Sequence, residues 1–296
     1  MKKKKYNRNI QWILIGTGLS IFMFFLCLGI LFCMIFYKTV NDNCISDSMG
    51  LIDKTITKQQ NSSTEDTHKI NETEMSESIL NEIQDFAKKN HIAMNEYTEK
   101  IIALLEKNLE TKEFVLNYPL KKGTYSNEPL YEYLNQEEMP LLMQWDSRWG
   151  YYSYGSDVLG ITGCGPTCLS MVAIHLLQNP NFTPIYIADY AQSNGYYVQG
   201  VGTSWDFMKK GALSLGLCAR EVPLNENTIK QHLQNRNPII CIMGRGDFTD
   251  NGHFVVFVSM KDDKIKINDP NSRENSEKLW EFEDIKYQIK NMWVYS

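Results

Sequence analysis

The sequence GCGPTCLSM occupies residues 163–171, and it places a cysteine, Cys164, between two glycines. Pro166 follows, and apolar residues then recur at helical spacing: Leu169, Val172, Ala173 and Leu176. Because proline is favoured in the first turn of a helix, where its missing N–H costs nothing, the pattern predicts that a helix begins near Cys164. The unpaired N–H groups of a helix N-terminus stabilise an anion, and thiolate is the reactive form of cysteine. The segment is therefore typical of a cysteine nucleophile.

A candidate base and a candidate orienting group lie further along the chain. His253 begins the apolar segment HFVVFV, and the alternating segment KIKIN (264–268) is followed by Asp269. Both segments are predicted strands, and Asp262-Asp263 between them predicts a hairpin turn. The hairpin would bring His253, at the start of one strand, close to Asp269, at the end of the other. A carboxylate that fixes an imidazole is typical of an activated nucleophile, and no metal or cofactor is needed to explain this set.

The N-terminal part of the chain predicts attachment to a membrane. Five basic residues lie within residues 1–9, and residues 10–37 contain no charge and are mostly Leu, Ile, Phe and Met. At about 1.5 Å per residue, such a helix can cross a hydrocarbon core of about 30 Å with some tilt. The positive-inside rule then predicts a cytoplasmic basic tail at 1–9, a single transmembrane helix at 10–37 and an extracytoplasmic body. A cleaved signal peptide is the alternative, but the apolar segment is long for one and no small-residue cleavage site follows it.

Charge, motifs and cysteine content restrict the possible partners. The net charge is −5, and the chain beyond the basic tail is more acidic still, which argues against nucleic acid as a partner. No GxxxxGK[ST] phosphate loop and no CxxC pair is present, so neither a nucleotide site nor a metal site is expected. Outside the cell, Cys218 and Cys241 could form a disulfide, or both could be buried free thiols.

The remaining sequence is interpreted as a stalk, a helical extension and one larger domain. Residues 38–73 are polar and contain few large apolar residues, which predicts a flexible stalk. Residues 74–118 have apolar residues on helical faces and are predicted to pack against the body as a brace. In residues 139–296 predicted helices come first and strands second, which favours an α+β fold with a mostly antiparallel sheet. This domain is long enough to bury a sizeable core.

Four segments of this domain together carry a resemblance to a known family. They are MPLLMQWDSRWG (139–150), GCGPT (163–167), GHF (252–254) and NDP (268–270). In this order they resemble the C39-like peptidases, which are papain-like cysteine peptidases related to the domains that trim double-glycine leaders from bacteriocins. Residues 111–119 are similar to the extension common before such domains in Gram-positive bacteria.

The resemblance implies a papain-like fold, in which the helix that carries the cysteine packs on the sheet, and it implies four residue roles. Cys164 would be the nucleophile, His253 the general base and Asp269 the group that orients it. Gln144 would help to hold the oxyanion, although it lies farther before the cysteine than in the leader peptidases. The reaction would be thiolate attack on a carbonyl, followed by hydrolysis of a thioester.

Leader trimming does not carry over to this chain. The leader peptidases are usually fused to a six-helix transporter and an ATPase, whereas this chain has one predicted span and no nucleotide loop. The expected function is therefore a membrane-anchored, extracytoplasmic thiol hydrolase, most simply a cysteine peptidase acting on a peptide or protein.

Other interpretations of the same residues stay open at the level of sequence. The chemistry would also suit a cell-wall peptide amidase or endopeptidase, or a transglutaminase-type acyl transferase. A non-catalytic surface binding module could keep the same fold. The site residues also have structural interpretations: Cys164 as a buried thiol, Asp269 as a turn residue before proline, and Gln144 as a surface amide.

Overall fold

A computed structural model of the chain describes residues 66–296, with side-chain surroundings from Met75 onward. The predicted basic tail, the predicted transmembrane helix at 10–37 and the stalk as far as residue 65 lie outside these residues. Between residues 66 and 296, no helix is both long and apolar enough to cross a membrane.

The stalk is predicted to reach residue 73, but the first described helix already begins at Asp66. Residues 66–73 contain neither Gly nor Pro. Because extending an existing helix adds one hydrogen bond for each residue fixed, a helix anchored further along propagates through such a segment. The predicted stalk therefore overlaps this helix at residues 66–73.

The described residues form ten α-helices, together with short 3-10 turns and one π-helical segment at Phe207–Gly211. Side-chain caps explain several helix starts, since Thr98, Thr183 and Asn225 each accept a hydrogen bond from a backbone N–H of the helix that follows. The helices are α1 (Asp66–Lys89), α2 (Glu99–Lys107), α3 (Lys112–Lys121), α4 (Leu159–Thr162), α5 (Cys164–Leu177), α6 (Pro184–Ser193), α7 (Ala212–Ser214), α8 (Glu226–Gln234), α9 (Arg273–Glu277) and α10 (Phe282–Ile285).

Six of the ten described strands form one antiparallel sheet in the order β5-β10-β6-β7-β8-β9, and four short strands form two separate pairs. The α+β class with an antiparallel sheet, predicted from the sequence, is confirmed. The strands are β1 (Ser153–Tyr154), β2 (Asp157–Val158), β3 (Tyr197–Val198), β4 (Gly202–Thr203), β5 (Ala219–Glu221), β6 (Ile239–Met243), β7 (His253–Lys261), β8 (Lys264–Asn268), β9 (Leu279–Trp280) and β10 (Ile289–Tyr295).

The sheet is a middle layer between two apolar cores, as strand β6 illustrates. Ile240 and Ile242 join the core that contains α5 and α6, whereas Ile239, Cys241 and Met243 join a second core with α8. Because successive side chains of a strand point to opposite faces, a strand that is apolar throughout needs both faces covered. All of β6 is buried, which positions α5 against one face of the sheet, next to β7.

Cys241 is a free cysteine whose side chain lies in the second core, so the disulfide Cys218–Cys241 is not formed. Burial in these apolar surroundings raises the pKa of the Cys241 thiol well above its ordinary value. Of the two alternatives for this cysteine, the buried free thiol is therefore the one observed.

A third core joins helices α1 to α3 to the body. Ile83 and Ile101 pack there with Phe114, and Tyr151 of the body belongs to the same cluster. Phe114 lies so close to Gly160 that a Cβ at that position would be 2.3 Å from its ring. The segment predicted as a brace thus contacts the residues just before α5, and α3 continues to Lys121. The domain boundaries at 118 and 139 stay predictions.

Candidate active site

Cys164 is the first residue of α5, as its sequence context predicts, and it is partly exposed. Close contacts explain the two flanking glycines. A Cβ on Gly163 would lie 2.4 Å from the Leu159 carbonyl oxygen, and a Cβ on Gly165 would lie 2.7 Å from Thr203 Oγ1. The turn that delivers Cys164 to the helix N-terminus is therefore too tightly packed for side chains on either side of it.

His253 and Asp269 are brought together by the predicted hairpin. His253 is the first residue of β7 and Asp269 directly follows β8; the two strands pair antiparallel. Both residues of the connecting turn, Asp262 and Asp263, have positive φ. His253 Nε2 lies 2.7 Å from Asp269 Oδ1, and the Asp269 side chain is only 1% exposed. The imidazole is thus held by a buried carboxylate.

The same imidazole also interacts with the Cys164 thiol, and each of the two groups shifts the pKa of the other. Since Nε2 of His253 is engaged by Asp269, the nitrogen left for the sulfur is Nδ1. The imidazole of His253 therefore lies between two partners, the thiol at the helix N-terminus and the buried carboxylate. In this geometry the imidazole can take a proton from sulfur on one side while the carboxylate stabilises its positive charge on the other.

The pKa shifts of Cys164, His253 and Asp269 all act in the direction of the charged form of each group. Burial by itself raises the pKa of Cys164, but the hydrogen bond and charge of His253, with backbone hydrogen bonds from Phe254 and Gly165, lower it below its ordinary value. Burial opposes a charged His253, yet Asp269 and then Cys164 raise the pKa of His253 to about 10. Burial likewise disfavours a charged Asp269, but His253 and other donors hold its pKa below the usual range. The pKa shifts therefore act in the direction of a thiolate–imidazolium pair beside an ionised carboxylate.

The Asp269 carboxylate has further donors that the sequence did not reveal. The Asn271 backbone N–H donates to Oδ1 at 2.8 Å, and Asn275 Nδ2 donates to Oδ2 at 3.0 Å. The Asp269 N–H in turn donates to Ser276 Oγ at 2.9 Å. Asn275 and Ser276 reach Asp269 only because the chain turns back into α9, and nothing in the residue spacing signals that turn. The one available signal is the run of Asn and Ser after Asp269.

Gln144 is buried at 3% exposure, which rules out the surface-amide interpretation. Its Nε2 donates to the Gly160 carbonyl oxygen in α4 at 2.9 Å, and its Oε1 has no hydrogen-bond partner among the described residues. Its backbone N–H donates to the Pro270 carbonyl oxygen at 2.7 Å. Gln144 therefore links the helix that precedes Cys164 with the loop that follows Asp269.

Cys168, one turn after Cys164, occupies a core position. Its side chain is fully buried, and its Sγ lies 3.2 Å from the Phe254 carbonyl oxygen, to which it donates. Burial raises the pKa of Cys168 well above the ordinary value, so this thiol stays neutral. Both cysteines are free thiols. Within residues 66–296, no group of three His, Cys, Asp or Glu side chains could hold a metal ion.

A model of the Peptidase C39-like family matches residues 131–296, more than half of the chain. The chain belongs to the C39-like peptidase family. The resemblance inferred from the four segments is thereby confirmed, and family membership supports a peptidase.

Among solved structures, the chain is similar to the peptidase domain of Streptococcus ComA, which is described as a bi-functional ABC transporter involved in a quorum sensing pathway. The two are 19% identical, the alignment covers 45% of this chain and 89% of that chain, and the TM-score is 0.35. No curated protein matches the chain.

Proposed function

We propose that this C39-like peptidase is a cysteine peptidase in which Cys164 is the nucleophile, His253 the base and Asp269 the group that orients the base. One observation carries the proposal: a buried imidazole lies 2.7 Å from a buried carboxylate and also interacts with a thiol at a helix N-terminus, whose pKa it lowers. The charge of His253 lowers the pKa of Cys164 although burial opposes this, and a thiolate is the form of cysteine that attacks carbonyls.

The proposed reaction follows from the positions of these atoms. The Cys164 thiolate attacks the carbonyl carbon of a peptide bond and forms a tetrahedral intermediate with a negatively charged oxygen. His253 then gives the proton on Nδ1 to the leaving amine, and a thioester with Cys164 remains. Water, deprotonated by the same nitrogen, hydrolyses the thioester and regenerates the thiol. Throughout, Asp269 holds the ring through Nε2 and stabilises its positive charge.

Two sets of donors are proposed to stabilise the oxyanion. The first N–H groups of α5 have no partner within the helix by its geometry, and they lie beside the nucleophile. Gln144 is the second donor in this proposal. Its Nε2 donates to the Gly160 carbonyl oxygen at 2.9 Å and, more weakly, to the Ile161 carbonyl oxygen at 3.5 Å. In this proposal the N–H that is directed at Ile161 turns to a substrate oxygen.

The membrane location is part of the proposal and rests on the sequence of residues 1–37. An uncharged segment long enough to span a bilayer follows a basic tail, which favours an active site on the outer side of the membrane. Labelling of Cys164 in intact cells by a membrane-impermeant thiol reagent tests this location. Labelling only after the cells are permeabilised would contradict it.

The catalytic assignment is tested with an electrophilic peptide probe and a set of peptide amides, with the full chain as enzyme. The native chain is expected to form one covalent adduct, at Cys164, and to release amine from a peptide amide. Cys164→Ala should lose both activities, whereas Cys168→Ser should keep most of each, because serine can still donate to the Phe254 carbonyl oxygen. Equal loss in the two variants, with folding intact, would contradict the choice of nucleophile.

Hydrolysis and acyl transfer are separated in the same assay by adding a primary amine. In a peptidase the acyl group goes to water, and the product is a free carboxylate. If the acyl group went mainly to the added amine at millimolar concentration, the acyl transferase would replace the peptidase as the proposed function.

A further inference from the structure

The orientation of Asp269 depends on α9, the short helix that follows it. Asn275 lies in this helix and donates to Oδ2 of the carboxylate at 3.0 Å. Ser276, also in α9, accepts a hydrogen bond from the Asp269 backbone N–H. A displacement of α9 would therefore move one donor to the Asp269 carboxylate and the acceptor of the Asp269 backbone N–H.

The start of α9 is held by a residue from outside the peptidase domain. Glu110 comes from the 3-10 turn Leu109–Thr111, between α2 and α3. Its carboxylate accepts hydrogen bonds from Ser272 Oγ at 3.1 Å, from the Arg273 N–H at 3.1 Å and from the Glu274 N–H at 3.2 Å. Hydrogen bonds with an ionised partner are about twice as strong as neutral ones, and this carboxylate is only partly exposed.

Neighbours of Glu110 contact the same region. The Asn271 carbonyl oxygen accepts hydrogen bonds from Asn108 Nδ2 and, at 2.9 Å, from Trp145 Nε1. Lys107 forms an ion pair with Asp250, in the loop before His253. The segment 107–110 therefore contacts both the loop that leads to the proposed base and the loop that follows the proposed orienting carboxylate.

We propose that Glu110 is a positioning residue for the active site: it fixes the start of α9 and, through Asn275, the orientation of the Asp269 carboxylate. This inference rests on the proposed function, because it assigns a role to Asp269 in orienting His253. Helices α1 to α3 then do more than brace the body, because the turn between α2 and α3 completes the support of the active site. Without Glu110, three donors at the start of α9 lose their acceptor and must turn to water, which loosens the turn from Asp269 to Arg273.

The test compares Glu110→Ala and Glu110→Gln with Glu113→Gln in the full chain. Glu113 is an exposed glutamate of α3, only three residues away, and is the matched control. The measured quantity is the midpoint of thiolate formation at Cys164, followed by ultraviolet absorbance with the Cys164→Ala chain as blank. Thermal unfolding of each variant is recorded in parallel.

Glu110→Ala is expected to move the Cys164 midpoint upward by about one pH unit, which is about a tenfold loss of thiolate at a fixed pH below the midpoint. Glu110→Gln keeps one acceptor oxygen and should show a smaller shift, and Glu113→Gln should show none. A merely structural role would lower the unfolding temperature of Glu110→Ala and leave the midpoint unchanged, and that result would overturn the inference.

Two further outcomes keep the inference separate from the proposed function. If the native chain itself has an ordinary thiol midpoint, the proposed function fails, whatever the Glu110 variants do. If Glu110→Ala does not fold, Glu110→Gln decides: an upward shift supports the positioning role, and a native midpoint overturns it.

Discussion

Replacing Asp269 by asparagine keeps the size of the side chain and removes its charge from His253. The asparagine Oδ1 can still accept a hydrogen bond from His253 Nε2, now 2.7 Å from Asp269 Oδ1, and from the Asn271 N–H. The second oxygen becomes an NH2 group, which faces Asn275 Nδ2, itself a donor 3.0 Å away. The substitution therefore removes one buried negative charge and one of the three side-chain hydrogen bonds, while the bond to the imidazole is kept.

The size of the effect follows from the distance and the burial. A neighbouring opposite charge within about 4–6 Å shifts a pKa by about 1–3 units, and burial reduces screening of this pair by solvent. The pKa of His253, raised to about 10 in the native chain, should therefore fall. Because a less stable imidazolium supports the thiolate less, the Cys164 midpoint should rise by about one to two pH units, at about 1.4 kcal/mol for each unit.

The assay is the ultraviolet thiolate titration of the full chain, with Cys164→Ala as blank. Asp262→Asn is the matched control, because this exposed residue lies in the turn of the same hairpin and asparagine tolerates its positive φ. An Asp269→Asn chain that folds and keeps the native Cys164 midpoint would show that the charge of Asp269 does not support the thiolate–imidazolium pair.

Three further predictions concern stability. Gly165→Ala should destabilise the fold by about 1–3 kcal/mol in urea unfolding, because its Cβ would lie 2.7 Å from a threonine oxygen. In the control Gly252→Ala the Cβ meets nothing nearer than 3.9 Å, so the free energy of unfolding should change by no more than about 0.5 kcal/mol. Equal effects of the two substitutions would contradict the packing argument. The pKa of His253 is raised from 6.5 to about 10, because the folded state stabilises the protonated ring. This stabilisation contributes fully to the free energy of unfolding below about pH 6.5 and is lost as the pH rises through about 10. The stability advantage of the native chain over His253→Gln should therefore shrink across that range, and a pH-independent difference would show that the shift is absent. Lys107→Ala should cost about 0–1 kcal/mol, because both partners of its ion pair are more than half exposed; a larger loss in the same unfolding assay would show that the pair is not screened.

The parts of the site that the sequence could predict have local causes. Pro166 and the apolar residues at helical spacing place the start of α5 at Cys164, because a proline suits the first turn of a helix and ends what precedes it. The hairpin of β7 and β8 follows from two apolar segments and the Asp262-Asp263 turn, and antiparallel pairing then brings His253 to Asp269. Each of these inferences depends on residues close to one another in the chain.

The parts that the sequence could not predict depend on contacts between distant segments. Glu110 meets the start of α9 across 162 to 164 residues of chain, and no periodicity records such a contact. Gln144 was identified only through the family resemblance, and its burial between α4 and the loop after Asp269 depends on how the domain packs. Composition alone does not distinguish a stalk from a helix at residues 66–73, because polar residues without Gly or Pro are compatible with both.

Activation of Cys164 by His253 is best tested by a brief pulse of iodoacetamide on the full chain, from about pH 5 to about pH 9, with the labelled cysteines identified by peptide mass spectrometry. We expect rapid single labelling at Cys164 well below the pH at which an ordinary thiol reacts, and loss of this low-pH reaction in His253→Ala. Slow labelling of Cys164 with an ordinary thiol profile, or a native profile in His253→Ala, would contradict the claim that His253 activates Cys164.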